Sequence, residues 1–166
     1  MAEYTLPHFG AIDIDNLEEC YLVNIESNGK TIHLDLNFDG QTIDTETLED
    51  IKTFIERIDA IDKINAKHLS NDFHDEDGET VKFYMEHHLE ELEKAELSAL
   101  INFDDTTGEP ALQLLSKLNL VRIGIYPQSE DFFASFDYSI GMDLTDYLVV
   151  IYTDKNGGVE DMVMES

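Results

Sequence analysis

The sequence is poor in cations. Ten lysines and arginines stand against 37 aspartates and glutamates, which gives the 166 residues a formal net charge of −27. A protein that binds nucleic-acid phosphates or anionic lipid headgroups needs a surplus of cations. We therefore expect this protein to bind neither nucleic acid nor membranes. The same charge attracts cationic molecules, so a basic protein is the partner that the composition favours.

Cysteine and long apolar runs are equally scarce. Cys20 is the only cysteine, which excludes a disulfide within the chain. No apolar run approaches the roughly 18 residues of a membrane-spanning helix, and the first residues lack the basic and apolar regions of a secretory signal. We therefore expect a cytoplasmic protein. The apolar content of 42% is enough to form the core of a single domain over residues 1–166.

Strand patterns dominate the first forty residues. Residues 31–38 alternate between apolar and polar side chains, which is typical of a strand with one solvated face. Residues 21–26 form a second predicted strand, and Asn28-Gly29 between the two favours a type I′ hairpin turn. Residues 4–14 are predicted to be a third strand. Pro7 cannot donate a hydrogen bond to a neighbouring strand, so we expect this strand at an edge of the sheet.

The middle of the chain follows a helical period. Asp44 is a good N-cap, and an apolar stripe at a spacing of three to four residues follows it over residues 48–64. A second helix is predicted to begin near Gly78. A third is predicted to begin around Pro110, because a proline ring suits the first helical turn. The buried positions expected in this third helix are Leu112, Leu115 and Leu118.

The last third returns to strands, predicted over residues 120–126, 131–140, 147–154 and 159–164. Residues 147–152 are apolar on both faces, which favours a central place in the sheet. Alternation puts Phe132 on the apolar face of the second of these strands and Phe133 on its polar face. The fold class predicted is α+β: a mainly antiparallel sheet of about seven strands, three N-terminal and four C-terminal, packed against three central helices.

The acidic segment His74-Asp75-Glu76-Asp77-Gly78-Glu79 has the composition of a calcium-binding loop. With Gly78 at the glycine position of an EF-hand, Phe73 and Tyr84 fall where the first and last ligands should be, and neither carries a carboxylate. A weak divalent-cation site is one interpretation of the segment. The interpretation we favour is an acidic helix N-terminus that complements the helix dipole.

Adjacent histidines, His87 and His88, lie in the second predicted helix, each three residues before Glu90 or Glu91. A histidine and a glutamate at this spacing share a helix face and could supply two metal ligands, whereas zinc needs three or four. His68 and His74 could complete such a site only through tertiary contact. The sequence does not determine whether His74, His87 and His88 come together, and we assign no metal site and no cofactor.

Evidence for catalysis is thin. Cys20 falls in a predicted strand, where a cysteine is usually a small buried apolar residue, and few cations are available to activate its thiol. The chain has no Gly-x-Ser-x-Gly elbow, no phosphate-binding glycine loop and no dinucleotide fingerprint. The aromatic run over residues 132–138 could line a ligand groove, but one face of a packed strand explains it as well. We assign no catalytic residue and do not expect an enzyme.

Five segments of the chain belong together as a set of motifs: Pro7-His8-Phe9-Gly10, residues 73–78, Glu86-His87-His88-Leu89-Glu90-Glu91-Leu92, residues 136–141 and the closing Met164-Glu165-Ser166. They resemble a family of small acidic bacterial proteins that is catalogued as a domain of unknown function. The resemblance spans nearly the whole chain and implies a single bacterial domain. It implies no activity, cofactor or catalytic residue.

The function that these observations favour is that of an acidic protein-binding module. In its concrete form it is an immunity or inhibitor protein whose acidic face covers the basic surface of a cationic partner. Two alternatives stay open. One is a small-molecule or metal-dependent enzyme built on the histidines and the acidic segment, and the other is a structural or housekeeping protein. The sequence does not determine the oligomeric state.

Overall fold

The computed structural model describes residues 2–104 and 108–166. Within these ranges the chain runs through four strands, five helices and four more strands. The strands are β1 (Glu3–Leu6), β2 (Gly10–Asp13), β3 (Cys20–Ser27), β4 (Lys30–Asn37), β5 (Asn119–Ile125), β6 (Ala134–Ser139), β7 (Leu148–Thr153) and β8 (Val159–Glu165). The helices are α1 (Thr45–Glu56), α2 (Ile58–His74), α3 (Val81–Glu91), α4 (Lys94–Ser98) and α5 (Pro110–Leu115).

Six strands form one sheet in the order β3-β4-β5-β6-β7-β8, and β1 pairs with β2 in a separate hairpin. Neighbours in the large sheet are antiparallel except β4 and β5, which are parallel. A parallel pair needs a crossover, and all five described helices lie in the connection from β4 to β5. The predicted α+β class and mainly antiparallel sheet are confirmed. The described ranges contain eight strands in two sheets and five helices, rather than about seven strands and three helices.

The N-terminal segment differs from its prediction. Residues 4–14 do not form one edge strand, because the chain reverses at Pro7 and pairs Leu6 with Gly10. His8 has a positive φ of 68° in this turn, which lets the chain reverse within a few residues. The other N-terminal hairpin agrees with its prediction. Asn28 and Gly29 have φ values of 50° and 80°, the two positive values that a type I′ turn requires.

The long apolar stripe belongs to two helices rather than one. The Asp44 N-cap is confirmed, since its carboxylate accepts a hydrogen bond from the Thr47 N–H at 2.7 Å. The helix it starts ends at Glu56, and α2 begins immediately after Arg57. The stripe stays buried across this break as far as Ile61, whereas Ile64 is 44% exposed.

Helix α5 starts at Pro110 as predicted, but its buried face is different. Leu114 is fully buried, and Leu112 is 44% exposed. The expected burial of Leu112 is therefore wrong, and Leu115 and Leu118 are only half-buried. A helix of two turns has too few residues for the spacing of its apolar side chains to determine which face is buried.

Helices α1, α2 and α3 cover one face of the large sheet. Phe54 of α1 packs on Phe136, with ring centroids 6.0 Å apart. On the same face, Tyr138 donates a hydrogen bond to Asp62 of α2 at 2.6 Å. Strand β7 lies inside the sheet, as its apolar character predicts, with Val149, Val150 and Ile151 buried. None of the described helices is long and apolar enough to cross a membrane.

In the aromatic run over residues 132–138, the alternation of side chains between the two sheet faces is interrupted before β6. Residues 131–133 precede β6, and there Phe133 turns towards the helices and contacts Phe54 at 5.1 Å between ring centroids. Phe132 points to the other face, where it contacts Tyr126 and Tyr152. The predicted faces of Phe132 and Phe133 are therefore both wrong, because strict alternation holds only inside a regular strand.

Candidate functional site

Arg122 of β5 stands near the centre of the sheet face that α1, α2 and α3 leave uncovered, here called the open face. The strand register places His33 of β4 on one side of it and Asp137 of β6 on the other, with Asp35 two residues further along β4. Side chains of alternate residues in these strands share a face, so four polar groups meet at this point.

The guanidinium of Arg122 binds two carboxylates. Its Nε donates to Asp35 Oδ1 at 2.7 Å and its Nη2 donates to Asp35 Oδ2 at 2.9 Å, which is a bidentate pair. Nη1 donates to Asp137 Oδ2 at 3.3 Å, and Nη2 also donates to the Tyr126 hydroxyl at 2.9 Å. Almost every N–H of the guanidinium therefore has a partner within the chain.

Gly124 makes room for this arrangement. A Cβ at this position would lie 2.8 Å from two atoms of the Tyr126 side chain and 3.0 Å from Arg122 Nη2. Arg122 and Tyr126 fold towards each other over the bare backbone, and any larger residue would separate them. A glycine in the middle of a strand commonly marks such a close approach.

The cluster holds one more negative charge than positive. Asp35 and Asp137 have side chains only 4% and 9% exposed, whereas that of Arg122 is 38% exposed. Burial raises the pKa of Asp137, and the Arg122 guanidinium offsets only part of this effect. The hydrogen bonds to Asp35 raise the pKa of Arg122 and keep it charged. A guanidinium that is already bonded on three sides is better suited to holding strands together than to binding a substrate.

Aromatic side chains complete the open face. Phe132 packs on Tyr126 and Tyr152 at centroid distances of 5.4 and 4.5 Å. The Tyr152 hydroxyl donates to Glu165 at 2.8 Å. Burial, together with this hydrogen bond, raises the pKa of Tyr152 to about 12. Beside Arg122 the face is indented by a shallow depression of about 450 Å³, lined by Leu22, Val23, Asn24, His33, Asp35 and Arg122.

The adjacent histidines of α3 have different environments. His88 is 1% exposed, and its Nδ1 lies 2.7 Å from the Tyr84 carbonyl oxygen. A carbonyl can only accept, so Nδ1 carries the proton and Nε2 accepts from the Thr145 hydroxyl at 2.8 Å. Burial lowers the pKa of His88, which favours this neutral form. His87 is half-buried and contacts the rings of Phe83 and Tyr147.

The candidate metal ligands do not assemble. Across residues 2–104 and 108–166, no three histidine, cysteine, aspartate or glutamate side chains come together as a metal site would require. His74, His87 and His88 therefore form no such group. His68 and His74 are both exposed on α2, and His74 packs edge-on against its neighbour Phe73.

The acidic segment is a turn between two helices. Asp75 closes α2 and accepts a hydrogen bond from the Asp77 N–H at 3.0 Å. The carboxylate that caps α3 comes from Asp72, whose Oδ2 accepts from the Val81 N–H at 2.6 Å. The expected acidic helix N-terminus is therefore wrong for this segment: α3 starts at Val81 rather than near Gly78, and its first turn contains no acidic residue. The anion at its N-terminus is Asp72, which lies in the last turns of α2.

Cys20 also differs from its expectation. It is exposed at the start of β3, an edge strand of the large sheet, and is not a buried apolar residue. Burial, although slight, and the charge of Asp35 raise the pKa of its thiol. A raised pKa leaves less of the reactive thiolate at neutral pH.

The chain matches no family model, no curated protein and no solved structure. The resemblance to a family of acidic bacterial proteins therefore stays a prediction.

We predict that Arg122→Met lowers the free energy of unfolding by about 3 kcal/mol, because Asp35 would be left buried without its cation. Urea denaturation followed by circular dichroism measures this change. The control is Arg57→Met, which removes the other arginine, an exposed side chain that donates one hydrogen bond to the Asn156 carbonyl. Equal losses in the two variants would contradict a stabilising role for the cluster.

We predict that His88 stays neutral as the pH falls below 6.5. Its folded pKa is lowered, so the unfolded chain takes up a proton that the folded chain does not. The stability that neutral His88 contributes is therefore present above about pH 6.5 and is lost as the pH falls towards the folded pKa. NMR titration of the imidazole signals measures this pKa. A His88 midpoint at or above that of N-acetylhistidine amide under the same conditions would contradict the prediction.

Proposed function

We propose that the protein is an acidic binding module that engages a cationic surface of a partner protein. The observation that carries this proposal is how few carboxylates have a cation beside them. In the part of the chain that the structure describes, ion pairs involve only Arg122 with Asp35 and Asp137, and Lys155 with Asp50. Most of the acidic side chains in residues 2–104 and 108–166 thus have no cation of the chain beside them.

An acidic surface of this kind favours one class of partner. Opposite charge steers a basic protein towards it and raises the association rate, and like charge keeps acidic competitors away. In its concrete form the module is an immunity or inhibitor protein that covers the basic active site of its partner. Binding then depends strongly on salt, because exposed charges are screened over about 10 Å at 0.1 M ionic strength.

An enzyme built on the histidines has less support. His88 is 1% exposed, and its ring nitrogens contact groups inside the fold, so a substrate from outside does not reach the imidazole. A structural or housekeeping role would leave the protein without a basic partner. The affinity capture described next also tests this alternative.

We predict that the full chain, used as bait in a lysate of its own source at low salt, retains a basic protein identified by mass spectrometry. The purified pair should form a complex whose dissociation constant rises at least about tenfold between 0.05 and 0.5 M sodium chloride. Isothermal titration calorimetry measures both values.

The control bait is an unrelated acidic protein of the same net charge. A basic protein held equally by both baits reflects charge alone and would count against the proposal. The proposal would also fail if the chain retained no basic protein beyond those held by the control.

A further inference from the structure

Two exposed aromatic residues from distant parts of the chain contact the same histidine of α3. Phe83 is 54% exposed and Tyr147, just before β7, is 39% exposed. His87 joins them, stacked on Phe83 at 6.1 Å and edge-on to Tyr147 at 4.9 Å between ring centroids. We call Phe83, His87 and Tyr147 the aromatic platform. Contiguous exposed rings are uncommon on a solvated surface and often mark an interaction site.

Buried polar groups hold the platform in place. The hydroxyl of Tyr84, a fully buried residue, donates to the Tyr147 carbonyl at 3.1 Å and accepts from the Ile140 N–H at 3.2 Å. His88 holds Thr145 in the same loop at 2.8 Å. The segment that carries Tyr147 is therefore tied to α3 at both ends. The backbone that carries Tyr147 is thus held before any partner arrives, which reduces the entropy lost on binding.

Exposed carboxylates lie on the two segments of chain that carry the platform. Glu86 and Glu90 are exposed and lie on the same face of α3 as Phe83 and His87, since residues three or four apart are neighbours on a helix. Asp143 and Asp146 are exposed in the loop that leads to Tyr147. An apolar partner segment alone would leave these charges without a counterion, whereas a cationic one would neutralise them.

The chain's own cations do not occupy the platform. In residues 2–104 and 108–166, the one cation above an aromatic ring is Lys94, whose Nζ lies 5.4 Å from the Phe103 centroid. The faces of Phe83 and Tyr147 have no such contact among the described residues. Aromatic faces attract ammonium and guanidinium groups, and guanidinium more often because it also stacks on the ring.

We propose that the aromatic platform is the docking site for an arginine side chain of the cationic partner. The guanidinium lies against the rings, its methylene stem covers their apolar edges, and the surrounding carboxylates accept its N–H groups. This inference rests on the proposed function, because it assigns one place on the acidic surface to the partner's contact.

The test uses NMR of the isotope-labelled full chain with an acetylated, amidated peptide of alternating glycine and arginine, at about 0.02 M salt where screening is weak. We expect chemical-shift changes concentrated in residues 83–90 and 143–147. Phe83→Ala should weaken binding about threefold to fivefold. The matched control is Leu112→Ala, which removes a similarly exposed apolar side chain from α5 and should leave the affinity unchanged.

Two further comparisons distinguish the contribution of charge to peptide binding from the contribution of shape. Glu86→Gln with Glu90→Gln should weaken binding more than Glu18→Gln with Glu19→Gln, which removes two exposed carboxylates elsewhere. The same peptide with citrulline in place of arginine keeps the shape without the charge and should not bind. Equal binding of the citrulline peptide would overturn the proposal.

The outcomes distinguish the platform from the proposed function. Shift changes spread over the whole acidic surface and unaffected by Phe83→Ala would overturn the platform while leaving an acidic binding module intact. If the arginine peptide caused no shift changes even at low salt, both would be wrong. Localised changes that Phe83→Ala weakens and Leu112→Ala does not would support the platform.

Discussion

Carboxylates outnumber cations by 27 in this chain, so folding must bring like charges closer together than they are in the unfolded state. The stabilisation has to come from elsewhere, and the structure shows its source. Fully buried apolar side chains such as Leu34, Ile123 and Phe136 line the helix-covered face of the sheet. A hydrophobic core of this kind does not depend on charge. The surface can then remain acidic, which is the property that the proposed function uses.

The two faces of the sheet are covered in different ways. Helices α1, α2 and α3 cover one face. On the open face, large side chains of the strands themselves pack around Arg122. This residue is one of only two arginines, and it lies between Asp35 and Asp137 rather than on the acidic surface. Arginine suits that position because its planar donors bind one carboxylate bidentately and still reach a second. Arg122 is thereby paired with carboxylates of the sheet and does not neutralise charge elsewhere on the acidic surface.

Local patterns predicted the parts of the fold that local interactions determine. The alternation of residues 31–38, the Asn28-Gly29 turn and the Asp44 cap each depend on neighbours in sequence, and all three are present. The break at Arg57 lies inside a continuous apolar stripe, and Phe132 and Phe133 lie just before the regular part of β6. Patterns read along the chain do not show where such interruptions fall.

The sites were harder to predict than the fold. Arg122 meets Asp35 across 87 residues of sequence, and no spacing rule connects them. The available signal was weak: a lone arginine and a glycine in an otherwise apolar strand. The platform depends in the same way on a contact between α3 and the loop before β7.

The most direct test of the account is the melting temperature between about 0.01 and 0.5 M sodium chloride. If open carboxylates dominate the surface, screening relieves their repulsion and the melting temperature rises, whereas a fall would show that attractive ion pairs outweigh the repulsion.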